Sequence, residues 1–136
     1  MEKEFIPYEQ ALALKQLGFD YQCVNYYSHY GNGQVKLNNL VLCSKIGVET
    51  NRDKGILAPL YQQAFRWFRE KYEYYYHIFP LQITASDKAG YRYSWEIYNH
   101  TPDWITEDRS LLGSLTYEEA ELACLIKLIE ICSELK

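Results

Sequence analysis

Residues 60–79, LYQQAFRWFREKYEYYYHIF, change from helical spacing to strand spacing within one short stretch. From Leu60 to about Tyr72, placing successive residues 100° apart puts the large apolar side chains within an arc of about 160°. Polar side chains fill the opposite arc; Lys71 alone intrudes, and its aliphatic stem can lie along apolar neighbours. From Tyr74 onward the large side chains alternate. The stretch therefore predicts an amphipathic helix with an aromatic core-facing stripe, followed almost directly by a β-strand.

Two further helices are indicated by residues typical of helix ends. In FIPYEQALALKQLGFD, Pro7 suits the first helical position, and Gly18 suits a left-handed cap after the last turn. Residues 116–119, TYEE, form a capping box, in which the threonine side chain and the glutamate bond to each other's backbone. This box predicts a helix that begins at residue 117 and ends near residue 135.

Two hairpins are predicted from strand-like runs on either side of turn residues. Gly-Asn-Gly at 31–33 lies between two runs that are rich in tyrosine and aliphatic residues. In the second hairpin, residues 74–79 alternate until Pro80, which we expect to end or bend the strand. Residues 91–98, YRYSWEIY, alternate cleanly and predict its partner strand.

The element order α-β-β-α-β-β-α predicts an α+β fold. In this fold an antiparallel sheet of about four strands, from two hairpins, packs with three helices. The chain has no domain linker and no internal repeat, so we expect a single α+β domain over residues 1–136. Residues 44–58 and 101–115 show no clean period and are expected to be loops, either of which would be long enough to form a site.

Composition and charge indicate a globular protein outside the membrane. The chain is 48% hydrophobic and 24% charged, and its net charge of −4 makes nucleic acid an unfavourable partner, because binding phosphates needs a basic surface. The first residues, MEKEFIPYEQ, lack the basic and apolar regions of a signal peptide. The apolar run LACLI, at 122–126, is far shorter than the roughly 20 residues that span a bilayer. We therefore expect a cytoplasmic protein with no membrane contact.

The cysteines lack the spacing of a metal site. The chain has Cys23, Cys43, Cys124 and Cys132, and no C-x-x-C pair. Zinc sites usually draw on closely spaced ligands, and disulfides belong to oxidising compartments. We therefore predict buried, reduced thiols and no metal.

No motif for catalysis or for a cofactor is present. A glycine-rich phosphate loop, H-E-x-x-H, an EF-hand loop and G-x-S-x-G are all missing from the sequence. His29, His77 and His100 lie apart and have no obvious partner in sequence. Neighbouring carboxylates at 118–121 complement a helix dipole, and those at 107–108 lie in an expected loop. We predict no cofactor and favour a non-enzymatic protein; an enzyme whose residues meet only in the folded chain stays open.

One face of the second hairpin carries the candidate site. If the residues Tyr91, Tyr93, Trp95 and Ile97 meet the helices, then the opposite face presents Arg92, Glu96 and Tyr98. One register of the neighbouring strand adds Tyr75 and His77 to this face. Such a face is typical of an ordinary half-exposed sheet, of an interface with a protein or a second copy, and of a stacking surface for a small ligand or nucleic acid.

Three segments together resemble a known set of proteins. The segments are FIPYEQALALKQLGFD, APLYQQAFRWFREKY and TYEEAELACLIKLIEI, which cover the three predicted helices. They resemble small, uncharacterised proteins encoded by Bacteroides-type bacteria, their phages and integrated elements. The resemblance implies a cytoplasmic setting and a mobile-element origin, and it supplies no catalytic or binding residue.

Together these observations predict a phage or mobile-element accessory protein that binds a protein partner or itself in the bacterial cytoplasm. The alternative is a small-ligand (nucleotide) or nucleic-acid binding module that uses the same aromatic sheet face. Strong dependence on salt would favour nucleic acid, and binding of a nucleotide that is insensitive to salt would favour a pocket.

Overall fold

The architecture is that of a computed structural model, which describes residues 4–23, 25–29, 35–39, 56–83, 90–99, 104–107 and 116–135. Within these ranges the chain contains three α-helices and six β-strands. In chain order they are α1 (Tyr8–Leu17), β1 (Asn25–His29), β2 (Val35–Asn39), β3 (Ile56–Ala58), α2 (Tyr61–Tyr72), β4 (Tyr74–Ile83), β5 (Gly90–Asn99), β6 (Trp104–Glu107) and α3 (Tyr117–Glu134). The α+β class, the three helices and both antiparallel hairpins are confirmed.

The chain divides into two compact units, Met1–Ala64 and Phe65–Lys136. The boundary falls inside α2, so this helix contributes its first residues to one unit and the rest to the other. The single domain over 1–136 stays a prediction.

In the first unit, α1 ends as the sequence predicts. Gly18 is left-handed, with φ of 97°, and its N–H donates to the carbonyl of Lys15 at 3.0 Å. The N–H of Phe19 donates to the carbonyl of Leu14 at 3.0 Å, which completes a Schellman cap. Pro7 is the residue before the first helical residue and not the first residue itself.

The sheet of the first unit has the order β2-β1-β3. His29 lies opposite Val35, which confirms the first hairpin; its turn, Gly31-Asn32-Gly33, lies outside the described residues. The third strand, β3, pairs antiparallel with β1 and lies within the stretch 44–58 expected to be a loop. The hydroxyl of Tyr27 donates to the carbonyl of Ile6 at 2.7 Å, which ties β1 to the segment before α1.

The aromatic stripe of α2 is core, as predicted. Phe65, Trp67 and Phe68 are each at most 2% exposed. The ammonium of Lys71 lies 5.0 Å from the centre of the Trp67 ring. Lys71 is the cation on the apolar arc of α2, and its exposed side chain lies over this ring, so its charge is not buried in the core.

The described strands of the second unit form a separate three-stranded sheet of order β4-β5-β6. The two predicted hairpins therefore do not share one four-stranded sheet; each is extended by a third short strand, β3 or β6. The strand β6 lies within the stretch 101–115 expected to be a loop. Pro80 does not end the strand, because β4 continues through it and Pro80 lies opposite Tyr93. Among the described strands β4 has only β5 beside it, and an edge strand tolerates proline because one side of its backbone needs no hydrogen bond.

The last helix, α3, begins at the predicted cap. The Thr116 hydroxyl accepts a hydrogen bond from the N–H of Glu119 at 3.1 Å. The helix packs on β4 and β5 and buries six residues: Ala120, Cys124, Leu125, Leu128, Ile129 and Cys132. None of the described helices combines the length and the apolar character needed to cross a membrane.

Candidate interaction face of the second sheet

The connection between α2 and β4 sets which side chains of β4 share a face. Glu73 is the single residue between the helix and the strand, and it is left-handed, with φ of 59°. Its N–H donates to the carbonyl of Arg69 at 3.2 Å, which ends the helix. With so short a connection, the helix end fixes the direction of Tyr74, and alternation fixes every side chain that follows.

The register of β4 against β5 brings the five predicted site residues onto one face. Tyr75 lies opposite Tyr98, and His77 lies opposite Glu96. Residues directly opposite each other in an antiparallel pair point to the same side of the sheet. We call this side the outer face; it consists of Tyr75, His77, Phe79 and Leu81 of β4 with Arg92, Ser94, Glu96 and Tyr98 of β5.

The other side of this sheet is packed against helices, and we call it the inner face. Phe65 of α2 stacks on Tyr76, with ring centres 3.9 Å apart. Tyr117 of α3 meets the ring of Tyr93 edge-on at 5.8 Å. Ile97, also on the inner face, is fully buried. The face with Tyr93, Trp95 and Ile97 therefore meets the helices, as the alternation predicts.

At the middle of the outer face, His77 and Glu96 form a polar pair. Nδ1 of His77 lies 3.1 Å from Oε1 of Glu96, within hydrogen-bond distance. The histidine side chain is 57% exposed and that of the glutamate is 18% exposed. The carboxylate is thus held by the sheet, while much of the imidazole is available to an incoming group. An exposed pair of this kind contributes about 0–1 kcal/mol to stability.

Next to this pair, two tyrosines lie nearly parallel. The rings of Tyr75 and Tyr98 have centres 5.9 Å apart and planes 20° apart, and both side chains are half-buried. On the other side of the pair, the Phe79 ring lies 5.2 Å from the ring of His77. The outer face thus carries a row of rings with a carboxylate beneath its centre.

Three members of the outer face were not among the predicted site residues: Phe79, Leu81 and Ser94. The alternation of 74–79 places Phe79 on this face, but it was not named as a site residue. Leu81 was missed because Pro80 was expected to end or bend the strand, whereas the alternation continues through it. By the alternation of 91–98, Ser94 lies on the same face as Arg92 and Glu96, but it was not named as a site residue. It is 5% exposed, which makes it the most buried polar residue of the described chain.

The face offers stacking, hydrogen bonding and one cation. In the described part of the chain no hydrogen bond joins Ser94 to His77. Nor do the described ranges contain a group of three or more His, Cys, Asp and Glu side chains placed to hold a metal ion.

The three cysteines that the structure describes are free and buried, as predicted. Burial raises the pKa of the Cys23 and Cys132 thiols to about 12. Burial, with a smaller contribution from Glu121, also raises the pKa of the Cys124 thiol. These thiols are protonated at neutral pH and are poor nucleophiles. Cys43 lies outside the described residues.

Comparison with known proteins finds no match among protein-family models, curated proteins or solved structures.

Proposed function

We propose that the protein is a non-enzymatic accessory protein of a phage or mobile element that binds a protein partner in the bacterial cytoplasm. The outer face is the binding surface. The observation that carries this proposal is the row of half-exposed rings, Tyr75–Tyr98 and Phe79, around the His77–Glu96 pair. This row lies on the side of the sheet opposite the one packed against α2 and α3.

The chemistry of the row favours a protein over other ligands. Tyrosine supplies a large contact area with few rotatable bonds, and it is enriched at protein interfaces. Arg92 and Glu96 place both signs of charge on the face, which suits the mixed surface of a protein. A phosphate backbone would instead require a basic surface, and the chain carries a net charge of −4.

The setting in a bacterial cytoplasm and the origin in a mobile element rest on the resemblance of the helical segments 5–20, 58–72 and 116–131 to proteins of Bacteroides-type bacteria, their phages and integrated elements. Reduced, buried thiols agree with a reducing compartment.

Quantitative capture from a lysate of cells that produce the protein tests the proposal. The double variant Tyr75→Ser/Tyr98→Ser removes the stacked rings of the outer face. Both tyrosines are only half-buried and lie on the face away from α2 and α3, so we expect the chain to stay folded. We expect this variant to capture at least about tenfold less partner than the parent chain does. Truncating an aromatic residue at the centre of an interface can weaken binding by about 1.4 kcal/mol or more, which is a factor of about ten.

The matched control is Tyr117→Ser. This tyrosine is 40% exposed and, like Tyr98, contacts one other ring, but it lies on α3 on the side of the inner face. Capture by Tyr117→Ser should equal that of the parent chain. Equal loss of the partner from both variants would contradict the outer face as the binding surface, and unfolding of the double variant would assign the rings to the core.

The alternative is that a nucleotide or another small ligand binds the outer face. Native mass spectrometry of the protein purified at modest salt distinguishes this alternative from a protein partner. An additional mass of a few hundred daltons that denaturation releases would support the small ligand. A ligand-free mass supports a protein partner, and the charge-state series gives the oligomeric state in the same spectrum.

A further inference from the structure

The carboxylate of Glu96, in the middle of the outer face, has few hydrogen-bond donors around it. Its side chain is 18% exposed, and its Oε1 lies 3.1 Å from Nδ1 of His77. Among the residues that the structure describes, no other group donates to this carboxylate. A carboxylate accepts about four hydrogen bonds, and its removal from water is unfavourable unless other donors replace the water. Within the described chain, Oε2 therefore stays available to a donor from a partner.

Aromatic rings lie on both sides of this carboxylate along the sheet. Tyr98 is two residues from Glu96 on the same face of β5, which is about 7 Å along a strand, and it stacks on Tyr75. On the other side, the ring of Phe79 lies beside that of His77. The face of an aromatic ring attracts a cation that lies within about 6 Å of the ring centre. A cation bound to the Glu96 carboxylate would therefore also meet the ring of Tyr98.

The charges near Glu96 favour a cation as well. In the register of β5 and β6, Glu107 is paired with Glu96, so two acidic residues are adjacent on neighbouring strands. Arg92 is four residues from Glu96 on β5, about 13 Å along the strand, which exceeds the Debye length of about 10 Å at about 0.1 M salt. Repulsion between Arg92 and a cation at Glu96 is therefore largely screened. The net charge of the chain, −4, adds to the attraction.

We infer that the outer face binds an arginine side chain of its protein partner. The guanidinium donates to the carboxylate of Glu96, and its plane stacks on the ring of Tyr98. The planar guanidinium has several N–H donors that match two carboxylate oxygens, and it stacks on aromatic rings; the lysine ammonium is a compact, strongly hydrated charge without this shape. The inference rests on the proposed function, in which this face binds a protein, and it specifies the chemistry of that protein.

Titration of the full chain with acetyl-arginine amide, followed by two-dimensional NMR, tests the inference. This probe presents the guanidinium without requiring the partner. The amide resonances of His77, Glu96 and Tyr98 should shift and reach saturation, with a dissociation constant in the millimolar range. Acetyl-citrulline amide, which has nearly the same shape and no charge, should cause none of these shifts. Acetyl-lysine amide should bind at least about tenfold more weakly than the arginine probe.

Substitutions separate the carboxylate and the ring from general effects of charge. Glu96→Gln keeps the size of the side chain and should weaken binding of the arginine probe by at least about tenfold. The matched control is Glu70→Gln, which removes the same charge from an exposed pair on α2 and should leave binding unchanged. Tyr98→Leu should weaken binding by about threefold, whereas Tyr98→Phe keeps the ring and should bind like the parent chain.

Two kinds of result would overturn the inference. The first is a parent chain whose resonances show no saturable shift with the arginine probe, or equal shifts with the citrulline or the lysine probe. The second is equal weakening by Glu96→Gln and Glu70→Gln, which would show that the probe responds to the overall charge of the chain and not to this site.

The titration contains no partner protein, so the inference and the proposed function can fail separately. Capture that depends on Tyr75 and Tyr98, without binding of the arginine probe, would overturn the inference and leave the proposed function in place. Binding of the probe at Glu96, with capture unaffected by Tyr75→Ser/Tyr98→Ser, would support the guanidinium site and contradict the outer face as the surface that binds the captured protein.

Discussion

Replacing Glu73 with glycine should stabilise the protein. Glu73 is the residue with φ of 59° that joins α2 to β4. The left-handed conformation is less favourable by about 1–2 kcal/mol for a residue with a Cβ atom, whereas glycine has no such penalty. Glycine also has greater conformational freedom in the unfolded chain, and this offsets about 0.5–1 kcal/mol of the gain in stability. We expect Glu73→Gly to raise the free energy of unfolding by about 0.5–1 kcal/mol, or the midpoint temperature by about 2–4 °C.

The control for Glu73→Gly is Glu73→Ala, which removes the same side-chain contacts but keeps the Cβ atom. The difference between the two variants in urea unfolding therefore isolates the backbone conformation. Glycine should be the more stable of the two by about 1 kcal/mol or less. If alanine equals or exceeds glycine, then Glu73 is not left-handed in solution, and the argument that this connection sets the outer face loses its first step.

Three further predictions concern the helices and the thiols. Burial, and then Glu118, raises the pKa of Glu121 above its ordinary value of 4.5, so the folded chain holds this proton more tightly than the unfolded chain and the contribution to stability falls as pH rises above about 4.5. Glu121→Gln should accordingly gain stability relative to the parent chain between about pH 4 and pH 7 in urea unfolding, and a constant difference would contradict this. Thr116→Ala should lose about 1 kcal/mol, and Thr116→Ser should lose much less because it keeps the acceptor for the Glu119 N–H. Iodoacetamide at about pH 8 should label the peptides of Cys23 and of the two α3 cysteines only after denaturation; rapid labelling of the folded chain would show that these thiols are not buried.

The helices were predictable because their signals are local. Gly18 as a left-handed cap, Thr116 as an N-cap and the apolar arc of α2 each depend on residues within a few turns of one another. The inner and outer faces of β5 were predictable for the same reason, since strict alternation over 91–98 decides which residues share a side. The position of Tyr75 and His77 followed from one of the two registers that the sequence allows.

The rest of the fold depends on contacts between distant residues. β3 has three residues and β6 has four, too few to show a period. β3 is defined by its pairing with β1, which is far from it in sequence, and β6 by its pairing with β5 across an irregular register. Whether two hairpins join in one sheet or lie in two is likewise decided by pairing that no local pattern encodes. Whether a proline such as Pro80 interrupts a strand depends on whether that strand lies at the edge of its sheet, which the sequence does not show. Glutamate is not a residue type that indicates a left-handed backbone, so the conformation of Glu73 could not be predicted either.

Photo-crosslinking from the outer face tests the central claim most directly. A benzoylphenylalanine replaces Tyr98 in one chain and Tyr117 in another, so that an aromatic residue is kept at both positions. After irradiation in cells that produce the protein, we expect position 98 to form a covalent adduct with a discrete protein partner and position 117 to form none. Adducts of the same protein from both positions, or from position 117 alone, would contradict the outer face as the binding surface.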